Sequence, residues 1–162
     1  MSDLIAAVRS GDKVALKALI DRGVDLNSGD ADGTTALIVA AETGQNEVIE
    51  LLLAAGADCN QADNDGWTPL MGAASVGNSV AVDRLLQHGA AINAQTNFGV
   101  TALMTAAAKG QVETVRQLLA QGASLTLRDH NGWTALIWAA DAQHHDVMEV
   151  LKQARERQAT QP

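Results

Sequence analysis

The side chains best suited to chemistry lie close together near the end of the chain, in the stretch HHDVME at residues 144–149. His145 and Glu149 are four residues apart, so a helix would place both on one face, where they could offer two ligands to a metal ion. His144 and Asp146 flank them with further polar groups. Such a run is more typical of a solvated helix face, and we interpret it in that way. The sequence therefore predicts no metal site.

Two other reactive side chains stand alone. Cys59 precedes Asn60 at a position where equivalent segments carry Leu26 and Ile92, which indicates a buried structural thiol rather than a nucleophile. His130 falls in a predicted turn, where an exposed polar side chain is expected. The chain contains no phosphate-binding G-x-x-x-x-G-K-[ST], no H-E-x-x-H and no G-x-S-x-G. We therefore predict no catalytic residue, no cofactor and no enzymatic activity.

The composition limits the kind of core that the chain can build. Hydrophobic residues make up 47% of the 162 residues, but aromatic residues only 2%, so Ala, Leu, Val and Ile must form thin, closely packed layers. No secretory signal is recognisable at residues 1–3, and no apolar run approaches the ~18 residues that span a bilayer. Cys59 is the single cysteine, which fits a reducing compartment. We expect a cytoplasmic protein.

The elements that would position these residues repeat with a fixed period of 33 residues. Asn27, Asn60 and Asn93 follow this spacing, and so do a series of leucines and three series of glycines. The leucines are Leu4, Leu37, Leu70, Leu103 and Leu136, and the glycines are Gly11, Gly44, Gly77 and Gly110, then Gly23, Gly56, Gly89 and Gly122, then Gly33, Gly66, Gly99 and Gly132. Five series with one period indicate a single structural unit copied along the chain.

Each copy has the pattern of two short helices. A threonine precedes the first helix, where its hydroxyl can accept a hydrogen bond from a free N–H group. The first helix carries an Ala-Ala pair, whose small side chains allow neighbouring helices to approach closely. A glycine then ends this helix in the left-handed conformation, and a second amphipathic helix follows. The threonines are Thr35, Thr68, Thr101 and Thr134, and the stop glycines are Gly44, Gly77 and Gly110.

The pattern D-x-x-G-x-T-P-L-x-x-A-A-x-x-G, followed by V-x-x-L-L and G-A-D-x-N, resembles the ankyrin repeat, and it covers nearly the whole chain. The resemblance implies an all-α solenoid of stacked helix pairs with short β-hairpin loops. One domain is expected over residues 1–157, with a flexible tail at 158–162. Its units are residues 1–29, which lack a hairpin, 30–62, 63–95, 96–128 and 129–157.

The sequence departs from the family pattern in two ways. In the last unit Gln143 replaces the glycine stop and Lys152 replaces a leucine, as expected of a terminal unit with a polar outer surface. In all four of the later units an apolar side chain replaces the histidine that is usual after Thr-Pro-Leu, which should exchange a hydrogen bond for apolar contact. The replacements are Ile38, Met71, Met104 and Ile137.

Acidic residues concentrate in the N-terminal half of the chain. The formal net charge is −8, and ten acidic residues but no Lys or Arg lie between Arg22 and Arg84. We expect no nucleic-acid partner, because phosphate neutralisation needs a basic stripe, and no membrane partner. A partner protein with a basic surface is one interpretation of the acidic stretch. A general charge for solubility is the other, and the sequence leaves both open.

Two tryptophans share one position of the repeat. Trp67 and Trp133 lie between the turn glycine and the capping threonine, and the resemblance implies that this position faces the concave side at the root of the hairpin. Trp is enriched in binding hot spots, although the ring could instead cover the hairpin base. Trp138, inside a first helix, is expected to cover the end of the stack. The candidate partner-binding residues are Asp32, Thr34, Asp65, Trp67, Phe98, Val100, Asn131 and Trp133.

The resemblance and the missing catalytic motifs together predict a non-catalytic module, monomeric on its own, that binds another protein through the hairpin tips and the concave groove. Two alternatives stay open. The chain could be a structural subunit that self-associates through the groove, or an enzyme whose site the sequence does not reveal. Gly72, inside a first helix, predicts either a tight contact or a locally opened groove, since glycine costs ~1 kcal/mol relative to alanine there.

Overall fold

The computed structural model describes residues 3–160, and this range contains ten α-helices and no β-strand. They are α1 (Asp3–Ser10), α2 (Lys13–Asp21), α3 (Ala36–Glu42), α4 (Asn46–Ala54), α5 (Pro69–Ser75), α6 (Ser79–Gln87), α7 (Ala102–Ala108), α8 (Val112–Ala120), α9 (Ala135–Asp141) and α10 (His145–Thr160). Each expected unit contributes one helix pair. The predicted all-α solenoid is confirmed.

The helices form two rows, which we call the inner and outer rows. Each odd-numbered helix packs against the next odd-numbered helix, and each even-numbered helix against the next even-numbered one. The repeated leucines and alanines fill the interfaces: Leu37, Leu70 and Leu103 are 1% exposed, and Ala73 and Ala106 are fully buried. Methyl groups at these positions let the backbones approach closely, which is why a core with so few aromatic rings is possible.

Three of the four predicted threonine caps are present. The hydroxyl of Thr35, Thr68 and Thr101 accepts a hydrogen bond from the backbone N–H group three residues later, at 3.3 Å in each case. Thr134 makes no such bond to the first turn of α9, so the prediction for the last unit is wrong. Thr134 is partly exposed whereas the other three are buried, because no further unit packs beside it and solvent is available to the free N–H groups.

Each inner helix from α3 onward ends at a residue in the left-handed conformation. Gly44, Gly77 and Gly110 all have φ of 71°, as predicted. Gln143 occupies the same position with φ of 62°, although its side chain makes this conformation costly. The stop is therefore kept by the surrounding stack even where glycine is absent.

The predicted hairpins are single turns, which we call fingers (residues 30–34, 63–67, 96–100 and 129–133). In the second finger, Asp63 Oδ1 accepts hydrogen bonds from the N–H groups of Asp65 and Trp67 at 3.0 and 2.8 Å, and the Asp63 N–H donates to the Trp67 carbonyl at 3.0 Å. Thr96 Oγ1 replaces the carboxylate in the third finger. Because one backbone pair closes each turn, the fingers form no strand in the described range.

Side-chain hydrogen bonds tie each unit to its neighbour. Asn27, Asn60 and Asn93 each accept a bond at 2.7–2.8 Å from a backbone N–H group of the following unit. A second row, which the 33-residue period alone does not reveal, lies just after the glycine stops and reaches back to the preceding unit. Its contacts are Gln45 Nε2 to Val8 O, Asn78 Nδ2 to Asn46 Oδ1, Gln111 Nε2 to Ser75 O and His144 Nε2 to Ala108 O.

The expected flexible tail, residues 158–162, lies only partly within the described residues. Residues 158–160 form the last turn of α10, and residues 161–162 lie outside the described residues. The segment ERQAT consists mainly of residues with good helix propensity, which extends the helix beyond the packed part of the stack. Even α10, the longest helix between residues 3 and 160, is not long and apolar enough to cross a membrane.

Candidate functional site

A cavity of about 540 Å³ lies where the second and third fingers meet the inner helices α7 and α9. We call it the groove cavity. Its lining combines aromatic side chains, residues of α7 and carboxylates. The lining residues are Glu42, Asp63, Asp65, Trp67, Thr96, Phe98, Val100, Met104, Thr105, Ala108, Lys109 and Trp138. A cavity of about 550 Å³ between α1 and α2 has no aromatic residue in its lining.

The structure divides the eight candidate residues into two groups. Four of them line the groove cavity: Asp65, Trp67, Phe98 and Val100. Phe98 is 60% exposed at the tip of the third finger, which makes it the largest side chain among the exposed apolar ones. The other four lie outside this lining: Asp32 and Asn131 are exposed on the first and fourth fingers, and Thr34 and Trp133 are partly buried.

Trp138 lies in the last unit, where it is expected to cover the end of the stack, and it also lines the groove cavity. Its ring lines the groove cavity from α9, at the inner-helix position that Thr105 occupies one unit earlier. Trp138 Nε1 donates a hydrogen bond to Asp129 Oδ2 at 3.1 Å. Trp133 packs edge-on against the same ring, with centroids 5.5 Å apart and planes at 72°. These two contacts hold the ring in a fixed orientation at the cavity wall.

Glu42 is the carboxylate that reaches furthest from its own unit into the groove cavity. It is the last residue of α3, two units before α7. The pKa of Glu42 is raised overall, mainly because the carboxylate is partly buried. The negative charge of Asp63 also raises this pKa, whereas the Trp67 indole N–H and the positive charge of Arg9 oppose the shift. The indole N–H of Trp67 is buried and has no hydrogen-bond partner of acceptable geometry within residues 3–160. Glu42 and Trp67 therefore lie side by side as a close pair at the wall.

Gly72 explains how Glu42 reaches this place. A Cβ atom at Gly72 would lie 2.9 Å from Glu42 Cγ and 3.4 Å from Glu42 N, closer than side chains normally approach. The Glu42 side chain therefore lies in space beside α5 that a side chain at position 72 would fill. Of the two alternatives that the sequence offered for Gly72, the structure has the tight contact.

Charge is distributed differently on the two sides of the stack. On the outer row, Glu47 pairs with Lys13 and Glu50 pairs with Arg84 at 2.6 Å. Asp83 accepts a hydrogen bond from Gln117 at 2.6 Å. On the groove side of the described chain, no salt bridge involves the fingertip or cavity carboxylates Asp32, Glu42, Asp63 and Asp65. Three of these four unpaired carboxylates, Glu42, Asp63 and Asp65, line the groove cavity.

The reactive side chains singled out in the sequence have structural roles. Cys59 is buried, its thiol donates to the His88 carbonyl at 3.2 Å, and burial raises the pKa of the thiol, which lowers its reactivity. The ring of His144 bridges two units, while Glu149 forms an ion pair with Lys152 at 3.0 Å. Between residues 3 and 160, no three His, Cys, Asp or Glu side chains converge as metal ligands.

The sequence was compared with known protein families and with characterised proteins. A family model for ankyrin repeats, built of three copies, matches residues 4–96 and, in a second overlapping match, residues 70–160. No curated protein matches the sequence. The two family matches together extend from α1 through α10 and include every residue of the groove cavity.

Proposed function

The chain belongs to the ankyrin repeat family, and we propose that it is a non-catalytic module that binds a partner protein through the groove cavity and the adjacent fingertips. Ankyrin repeats generally mediate protein–protein interaction, and the family is typically non-catalytic. Fold alone does not identify a binding surface. The choice of the groove therefore rests on the side chains that this particular chain places there.

The observation that carries the proposal is the set of aromatic rings around the groove cavity. The sequence holds only one Phe and three Trp, and Phe98, Trp67 and Trp138 all line this one cavity. Exposed aromatic side chains in a pocket are the usual anchors of protein interfaces. The repeat can form without these rings, because sibling units carry Thr34 and Thr105 at the positions of Trp67 and Trp138.

The unpaired carboxylates favour a partner with a basic surface. Asp32, Glu42, Asp63 and Asp65 belong to the stretch between Arg22 and Arg84, which lacks Lys and Arg, and no salt bridge within residues 3–160 neutralises them. An exposed negative field steers a positive partner and speeds association. The same field makes nucleic acid a poor partner, and it disfavours self-association of two groove faces because like charges would meet.

Selection from a random peptide library tests the proposal, because it offers the groove every kind of side chain. The native protein and two variants, Phe98→Ser and Val80→Ser, are immobilised and used to select from displayed peptides of 16 residues. Phe98 and Val80 are both exposed apolar residues, at 60% and 54%, but Val80 lies on α6 in the outer row. We expect the native protein and Val80→Ser to enrich the same peptides, and Phe98→Ser to lose them.

Two results would contradict the proposal. Peptides that bind equally to the native protein and to Phe98→Ser would place the binding surface elsewhere. A molar mass that doubles with concentration in light scattering, and that returns to the monomer value in Phe98→Ser, would support self-association through the groove instead.

A further inference from the structure

The groove cavity combines three kinds of group around one space. Trp67 and Trp138 contribute aromatic side chains from the second finger and from α9. Glu42, Asp63 and Asp65 contribute three carboxylates, against a single cation in the lining, Lys109. The volume of about 540 Å³ is within the range of sites that enclose a small ligand, and it would hold one long side chain with the backbone that carries it.

We propose that the groove cavity receives an arginine side chain from an extended basic segment of the partner, with the guanidinium against the rings of Trp67 and Trp138 and facing Glu42. This inference rests on the proposed function. It adds the chemical identity of the group that enters the cavity.

Arginine fits the lining better than the other side chains. Its planar guanidinium stacks on aromatic faces, and its five N–H groups can serve several carboxylates at once. A lysine ammonium is a compact, strongly hydrated charge that cannot stack or bond in a bidentate way. An apolar side chain would leave the carboxylates at the cavity edge desolvated without a partner, which is costly.

Two features keep the site ready for such a ligand. The hydrogen bond from Trp138 to Asp129 and the edge-on contact with Trp133 fix one aromatic wall. The missing side chain at Gly72 gives Glu42 room against α5, and Glu42 lines the same cavity as Trp67. A preorganised site binds more tightly because fewer side chains must be ordered on binding. Neither feature follows the 33-residue pattern, since Thr105 and Ser75 replace Trp138 and Glu42 in other units.

Indole resonances provide a direct test, since the protein has three Trp. Uniformly ¹⁵N-labelled protein is titrated with the blocked peptide acetyl-Gly-Ser-Arg-Ser-Gly-amide. Parallel titrations use the same peptide with lysine or with citrulline, the uncharged isostere of arginine, in the central position. Each indole N–H signal is assigned from a Trp→Phe variant. We expect the arginine peptide to shift the signals of Trp67 and Trp138, and to bind about 10-fold more tightly than the citrulline peptide.

Two variants separate the role of Glu42 from a general effect of charge. Glu42→Gln should reduce binding of the arginine peptide several-fold and leave the citrulline peptide unchanged. Gly72→Ala should have the same effect, because the added Cβ displaces the Glu42 side chain. The matched control is Glu50→Gln, which removes one negative charge from the outer row. This control should leave the arginine affinity unchanged. Circular dichroism verifies that each variant is folded. If Gly72→Ala does not fold, Glu42→Gln still provides the test, because Glu42 is exposed and its replacement should not disturb the core.

The outcomes distinguish the inference from the proposed function. Equal affinity for arginine and citrulline peptides, stronger binding of lysine, or an equal loss in Glu42→Gln and Glu50→Gln would overturn the inference. If displayed peptides are enriched in a Phe98-dependent way but contain no arginine, the inference fails while the proposed function stands. If selection does not depend on Phe98, the proposed function fails first.

Discussion

The groove side and the outer side of the stack are built on the same repeat but use their residues differently. On the outer row, acidic side chains of α4 pair with Lys13 and Arg84. On the groove side, Asp32, Glu42, Asp63 and Asp65 form no such pair within the described residues, and the last three line the groove cavity together with aromatic rings. The periodic residues pack the stack together, and several residues that depart from the period, among them Glu42, Phe98 and Trp138, line one cavity.

The largest expected effect separates the periodic core from the groove. Leu103→Ala removes a leucine that is 1% exposed between neighbouring inner helices, and it should lower the free energy of unfolding by about 2–5 kcal/mol. Phe98→Ala, at a side chain that is 60% exposed, should change it by less than about 0.5 kcal/mol. Urea denaturation followed by circular dichroism measures both. Comparable losses in the two variants would mean that the aromatic groove is part of the core.

Gln143, which replaces the glycine stop of the other units, should affect the stability of the stack but not peptide binding. Gln143→Gly removes a side chain from a left-handed residue and should raise the free energy of unfolding by about 0.5–1 kcal/mol. The reciprocal control is Gly44→Gln. A Cβ atom at this position would have no neighbour closer than 3.9 Å, so the variant should lose stability because of the left-handed backbone conformation and not because of a steric clash. Peptide selection by Gln143→Gly should match that of the native protein. A stability change of the same sign in both variants would contradict this account of the glycine stop.

The ion pairs of the outer row should contribute little. Glu50→Gln breaks the pair with Arg84, in which both side chains are about half exposed, and should cost less than about 1 kcal/mol. The cost should shrink further at high salt, because mobile ions screen surface charges. Thermal unfolding at low and high ionic strength measures the effect. A loss well above about 1 kcal/mol, unchanged by salt, would show that the outer charges are structural rather than solubilising.

The smallest expected effect concerns the pH dependence of stability, to which Glu42 and Glu47 should contribute with opposite signs. The pKa of Glu42 is raised on folding, so its contribution to stability is present below the ordinary glutamate pKa and is lost as the pH rises through the higher folded value. The pKa of Glu47 is lowered by its hydrogen bond with Lys13, so its contribution is present above the ordinary value and is lost as the pH falls through the lower folded value.

These signs can be measured against the matching glutamines. From about pH 4 to pH 7, the stability of the native protein should fall relative to Glu42→Gln and rise relative to Glu47→Gln. Urea denaturation across this range gives both differences. The charged groups around Glu42 that could modify its titration are Asp63, Arg9 and Lys109. Parallel trends in the two variants would remove the distinction between the groove and outer carboxylates.

Much of the scaffold was predictable because it depends on local conformation repeated at a fixed spacing. The positive φ at Gly44 and the hydroxyl cap at Thr35 are properties of a few neighbouring residues, and the 33-residue period shows where each recurs. The missing cap at Thr134 was not predictable in this way. Its hydroxyl occurs in the same local sequence as the others, but no following unit buries it.

The sequence by itself determined the number and order of helices, their interfaces and the excess of acid in the N-terminal half, because spacing and composition carry this information directly. Only the tertiary structure decided which non-periodic residues meet. Glu42 reaches Trp67 because Gly72 leaves space on a neighbouring helix, and Trp138 faces the groove because Asp129 holds its indole N–H. These contacts join residues from different units, and their geometry depends on how the units stack rather than on the identity of any one residue.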